Sequence, residues 1–153
     1  MKPFLLLLFL AAPPLDEPLY VRASLETGLA PVCSFSLILT QDGDLYVTVS
    51  HLGQESKEVA RRPTTDEVAR VRAQVHSADF FSLPEAVGCH LIDGSEHHLR
   101  VHEGQRWHAI TLYDRCGCKK CLSTSHETER AFSVWETVRL LALPAMPAEC
   151  RDE

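Results

Sequence analysis

The sequence predicts a single α+β domain: an antiparallel sheet of about four strands, made of two hairpins, with two helices on one face in the order ββαββα. Three observations lead there. Two pairs of apolar runs alternate with period two, and each pair is split by a glycine-bearing turn signal. Two Thr-x-x-Glu boxes each open a stretch with helical apolar spacing. The composition, 45% apolar and 24% charged over 153 residues, is that of one globular domain with enough chain to bury a core.

The N-terminus carries a different signal. Met1-Lys2 is a short positive start, and the apolar run from Phe4 to Leu10 is extended by Ala11 and Ala12. Its length suits a signal peptide over residues 1–12 and falls well short of the roughly 20 apolar residues that a membrane-spanning helix needs. The expected cleavage site lies between residues 12 and 23. Leu10-Ala11-Ala12 is followed by Pro13, which hinders the peptidase, and Val21-Arg22-Ala23 also fits the small-residue pattern. Residues 13–31, rich in Pro and acidic side chains, read as a flexible arm; residues 32–143 form the domain and 144–153 a C-terminal tail. The expected location is therefore secreted or periplasmic, with no stable membrane insertion once the leader is removed.

Within the domain, Phe35, Leu37 and Leu39 share one parity, Gln41-Asp42-Gly43-Asp44 turns the chain, and Leu45, Val47 and Val49 alternate again. Residues 57–60 read as a third short strand or as loop. Thr64-x-x-Glu67 caps the first helix, whose apolar positions are Val68, Val71, Val75 and Ala78; Phe80, Phe81 and Leu83 fill the gap between helix and sheet. The second hairpin sets His97, Leu99 and Val101 against His98, Arg100 and His102, turns at Glu103-Gly104-Gln105, and returns through Ile110 and Leu112. Alternation puts Leu99, Val101, Ile110 and Leu112 on the core face, and His98, His102 and Trp107 on the opposite face. Thr124-x-x-Glu127 caps the last helix, with Ala131, Val134, Trp135, Val138, Leu141 and Ala142 as its stripe and Pro144 and Pro147 as its end.

The strand from Cys33 to Leu39 with its Asp42-Gly43 turn, the helix-ending Ala78-Asp79-Phe80-Phe81-Ser82-Leu83, the Asp93 before the second hairpin and the closing helix over 127–143 together resemble small bacterial exported domains of unknown function. The same layout is similar to emfourin-like inhibitors of thermolysin-type metallopeptidases. The resemblance covers residues 32–143 and implies an extracytoplasmic binding protein whose partner is a protein such as a peptidase. It carries no functional residues across, and the Cys116-Gly117-Cys118-Lys119-Lys120-Cys121 loop has no counterpart in it.

Six cysteines, Cys33, Cys89, Cys116, Cys118, Cys121 and Cys150, are disulfide candidates in an oxidising compartment. Cys116 and Cys118 are too close in sequence to pair without strain, so two or three of the loop thiols are expected to bond to Cys33, Cys89 and Cys150. One such bridge stabilises by about 2–4 kcal/mol. Two sharper readings compete with this one. Cys118-x-x-Cys121 before a helix N-terminus has the setting of a lowered thiol pKa and hence of thiol-redox chemistry. Cys116, Cys118 and Cys121 with His126, or with Cys89 or His90, form a candidate zinc set, although only one Cys-x₂-Cys knuckle is present.

A net charge of −6 without a basic stripe argues against nucleic acid. No Gly-x-Ser-x-Gly, His-Glu-x-x-His or phosphate-binding glycine loop occurs, so the sequence predicts a non-catalytic protein with no cofactor. His98 and His102 stand about 13 Å apart along one strand and cannot chelate one ion together. His51 and His76 have no evident partners. Trp107 reads either as a contact residue on an open sheet face or as a side chain covered by the arm.

Overall fold

In the computed structural model the described residues are 17–27, 33–51, 57–89, 94–114 and 121–151. They form a seven-stranded sheet, β1 (Leu19–Thr27), β2 (Cys33–Leu39), β3 (Leu45–His51), β4 (Lys57–Arg61), β5 (Ala86–Val87), β6 (Ser95–Glu103) and β7 (Arg106–Leu112), with helices α1 (Thr65–Ser77) and α2 (Ser125–Ala142). The spatial order is β4-β3-β2-β1-β6-β7-β5, antiparallel throughout except for the short parallel pairing of β5 with β7.

The expectation of four antiparallel strands in the order ββαββα is thus corrected to a mixed sheet of seven. The decisive difference is β1, which lies inside the stretch 13–31 read as an arm. Leu19, Val21 and Ala23 alternate with outward Tyr20, Arg22 and Ser24, and the strand pairs along its length with β6 and over Val21–Leu25 with β2. It joins two hairpins that do not otherwise pair. β4 extends one edge through Val47↔Val59, and β5 extends the other.

The hairpins themselves follow the alternation. β2 and β3 pair from Cys33↔His51 to Leu39↔Leu45, and Gly43 adopts φ +84° in the turn. β6 and β7 close with Glu103↔Arg106 around a two-residue loop whose first member, Gly104, has φ +58°, a conformation that suits the strand twist and favours glycine.

Both helices start on full capping boxes. The Thr64 hydroxyl accepts from the Glu67 N–H while the Glu67 carboxylate accepts from the Thr64 N–H, and Thr124 and Glu127 repeat the arrangement. The bidentate Arg61 guanidinium and these bonds hold the Glu67 pKa down at about 2. The helices cover one sheet face. Val71, Val75, Phe80, Val134, Trp135 and Val138 pack with Val21, Leu37, Val47, Leu99 and Leu112 in one core. Phe35 stacks on Trp135 with ring centroids 5.6 Å apart.

The C-terminal segment 144–153 also belongs to the domain over its described part: Met146 and Cys150 are buried, and a 3-10 turn over Ala148–Cys150 brings Cys150 to the start of β2. Among the described residues no helix is long and apolar enough to cross a membrane. Residues 1–12, expected from the sequence to be a leader, lie outside the described residues.

Candidate functional site

The two faces of the sheet differ in cover. The helices take the inner face, and among the described residues nothing covers the outer face of β1, β6 and β7, which forms a shallow depression of about 810 Å³. Its register sets three rows of side chains. Tyr20, His102 and Trp107 form one row, with the His102 ring stacked beside Trp107 and edge-on to Tyr20, both at 6.4 Å. Arg22, Arg100 and Ala109 form the next, and Ser24, His98 and Thr111 the third. The Arg100 guanidinium lies 5.8 Å from the centre of the Trp107 ring, a cation–π distance.

His98, His102 and Trp107 therefore come together on one face, and Trp107 is 61% exposed. Among the described residues nothing covers it; Leu19–Thr27, within the stretch read as an arm, lies in the plane of the sheet as β1 instead. His98 Nδ1 is 3.3 Å from the Thr111 hydroxyl, and its Nε2 is 3.7 Å from Glu96 and 3.8 Å from Glu26. The parity that places His98 and His102 on this face places Arg100 there too; sequence reasoning misses Arg22, which lies in the stretch read as an arm.

His97, on the opposite parity, is half-buried against the core. Its ring meets Trp135 at 4.7 Å and Phe132 at 5.8 Å, and its Nδ1 is buried without a hydrogen-bond partner. Removal from water disfavours the imidazolium and lowers its pKa to about 4.

The cysteines are arranged differently from the expected loop-to-distant pairing. Cys33 and Cys150, the two most distant in sequence, form a disulfide across 117 residues. The 3-10 turn at the end of the chain places them together, which spacing does not reveal. His51, opposite Cys33 in the β2–β3 register, completes a Cys-His-Cys cluster whose donor atoms lie within 4.8 Å of one another. With the two sulfurs joined, neither is a thiolate, so this trio is not a ligand set in the disulfide form. Cys89 is buried and its Sγ stands 3.0 Å from that of Cys121. Cys121 is disulfide-bonded, though not to Cys89. Cys116 and Cys118 lie outside the described residues, as do His90 and Asp93; His126 is exposed in the first turn of α2.

A buried carboxylate also escapes sequence reasoning. Glu103, 1% exposed at the end of β6, accepts from Arg106 at 2.7 Å and Arg72 at 3.3 Å and lies 2.7 Å from His76 Nε2. Arg72 also donates to the Glu17 carbonyl at 2.7 Å. The cluster ties α1 to the β6–β7 turn and to the chain entering β1. Its partners are satisfied, and it faces away from the depression, which marks it as structural.

The chain matches no protein-family model and no curated protein.

Proposed function

We propose that this protein is a non-catalytic, extracytoplasmic binding module that engages a protein partner through the open face of its sheet. The observation that carries the reading is Trp107, a large aromatic side chain 61% exposed on a depression shared with His98, Arg22 and Arg100, with the His102 ring stacked beside it. Exposed aromatics beside arginine are the usual anchors of protein interfaces. The Cys33–Cys150 disulfide supports a life in an oxidising compartment, where the leader pattern of residues 1–12 would send the chain.

The resemblance of the sequence pattern over residues 32–143 to emfourin-like domains makes a metallopeptidase the first partner to test. Purified protein should slow a thermolysin-type peptidase, and Trp107→Ala should relieve the inhibition. Failure to inhibit or retain any peptidase from the secreted or periplasmic fraction would remove the inhibitor version. Failure to retain any protein at all, with wild type and Trp107→Ala behaving alike, would remove the binding module itself.

One observation favours a second reading. The buried Cys89 sulfur against a disulfide-bonded Cys121 supports a thiol-redox site around the cysteine loop. Thiol titration with mass spectrometry tests it: a Cys89 thiol that stays unmodified and unexchanged under a glutathione redox buffer sinks that reading, and zinc bound to free thiols would replace it.

A further inference from the structure

The open face carries a charge arrangement that the fold alone does not require. Arg22 on β1 and Arg100 on β6 are directly opposite each other in the antiparallel register, and both are exposed on the outer face. Side chains in that position have Cβ atoms about 5 Å apart, and like charges there oppose folding. A carboxylate nearby would normally relieve this. Here the same-face neighbours are Ile38 on β2, Ala109 on β7, Tyr20 and Ser24 along β1, and His98 and His102 along β6. None is acidic, and neither arginine forms an ion pair among the described residues. The acidic pair Glu26 and Glu96 lies about 13 Å further along the strands, beyond the Ser24–His98–Thr111 row, and Glu85 lines the flank.

We propose, building on the reading of this face as a binding surface, that the Arg22–Arg100 pair anchors a carboxylate of an acidic segment of the partner protein. Two guanidiniums side by side offer parallel N–H donors that match a carboxylate's two oxygens. Trp107, in cation–π contact with Arg100, steadies one guanidinium and offers an apolar platform for the residue next to the anchored acid. The bound acid removes the like-charge repulsion that the free protein carries. Glu26 and Glu96 repel a second acid at the other end and so fix the direction in which the segment lies.

The probe is a fluorescein-labelled oligo-glutamate peptide, read by anisotropy at low salt against an oligo-serine control. Wild type should bind the acidic peptide alone. Arg22→Gln with Arg100→Gln should weaken binding by at least about tenfold, the loss expected for charge-assisted hydrogen bonds. Glu26→Gln should leave it equal or stronger. In the free protein, Arg22→Gln should not lower the melting temperature, since it removes a repulsion.

Equal binding by the double arginine variant, no binding by wild type, or a marked drop in melting temperature would each overturn the proposal. So would a sulfated polysaccharide that binds the arginines more tightly than oligo-glutamate, because the occupant would then be a glycan. Partner capture retained by the double arginine variant but lost in Trp107→Ala would remove the acid anchor while leaving the binding module standing.

Discussion

The two faces of the central strands are built from the same residues in alternation, yet they obey different rules. Along β6, Leu99 and Val101 are buried under α1 and α2 while Arg100, one residue away, is in solvent. Along β1, Val21 and Ala23 are fully buried and Arg22 between them is exposed. On the inner face a polar group survives only with its partners supplied, as Glu103 does with two arginines and His76, or by staying neutral, as His97 does. On the outer face two arginines stand opposite each other with no carboxylate beside them. Water tolerates there what the core would not, so the open face is free to be shaped by a partner.

Substitutions should separate the faces by their effect on stability. The largest effect is expected at Trp135, the largest fully buried side chain, which packs on Phe35 and His97. Trp135→Ala should cost about 3–5 kcal/mol in urea denaturation. At the rim between the faces, replacing Cys33 and Cys150 together by Ala should cost about 2–4 kcal/mol, because the bridge restrains the unfolded chain over a separation of 117 residues.

Next comes pH. The folded His97 pKa of about 4 lies below the unfolded value of 6.5, so the unfolded chain takes up a proton first as pH falls. Stability should be full above pH 6.5, decline between 6.5 and 4, and level off below that as far as this group is concerned. The decline should amount to about 2 kcal/mol, reduced from the full conversion because the ring is only partly buried. His97→Phe should flatten that slope in urea titrations at successive pH values. Glu67 acts mainly below this window, since its stabilisation is lost as pH falls from 4.5 towards 2. The smallest effect belongs to the outer face: Trp107→Ala should change stability by no more than about 0.5 kcal/mol while abolishing partner capture. A loss comparable to that of Trp135→Ala would show that the outer face is covered and that the two faces do not differ.

Local spacing carries much of this architecture. The β2–β3 and β6–β7 hairpins, the inward set Leu99, Val101, Ile110 and Leu112, and both capping boxes follow from it. The outward placement of His98, His102 and Trp107 follows from the same alternation. β1 carries an equally regular alternation from Leu19 to Leu25, but it follows a proline-rich stretch, and its partners are Phe35–Leu39 on one side and the remote Ser95–Glu103 on the other. A period of two says that a segment can be a strand and does not say beside which others. The two-residue β5 is too short to show any period, and its parallel partner lies across a loop and a hairpin.

Alternation, turns and helix starts are thus written into the chain, because each rests on interactions within a few residues. That β1 joins the hairpins, that Cys33 meets Cys150 and that Arg22 faces Arg100 are settled only in the packed molecule. Those contacts depend on which strands lie side by side, and that choice is made by burying one continuous core under both helices rather than by any local pattern.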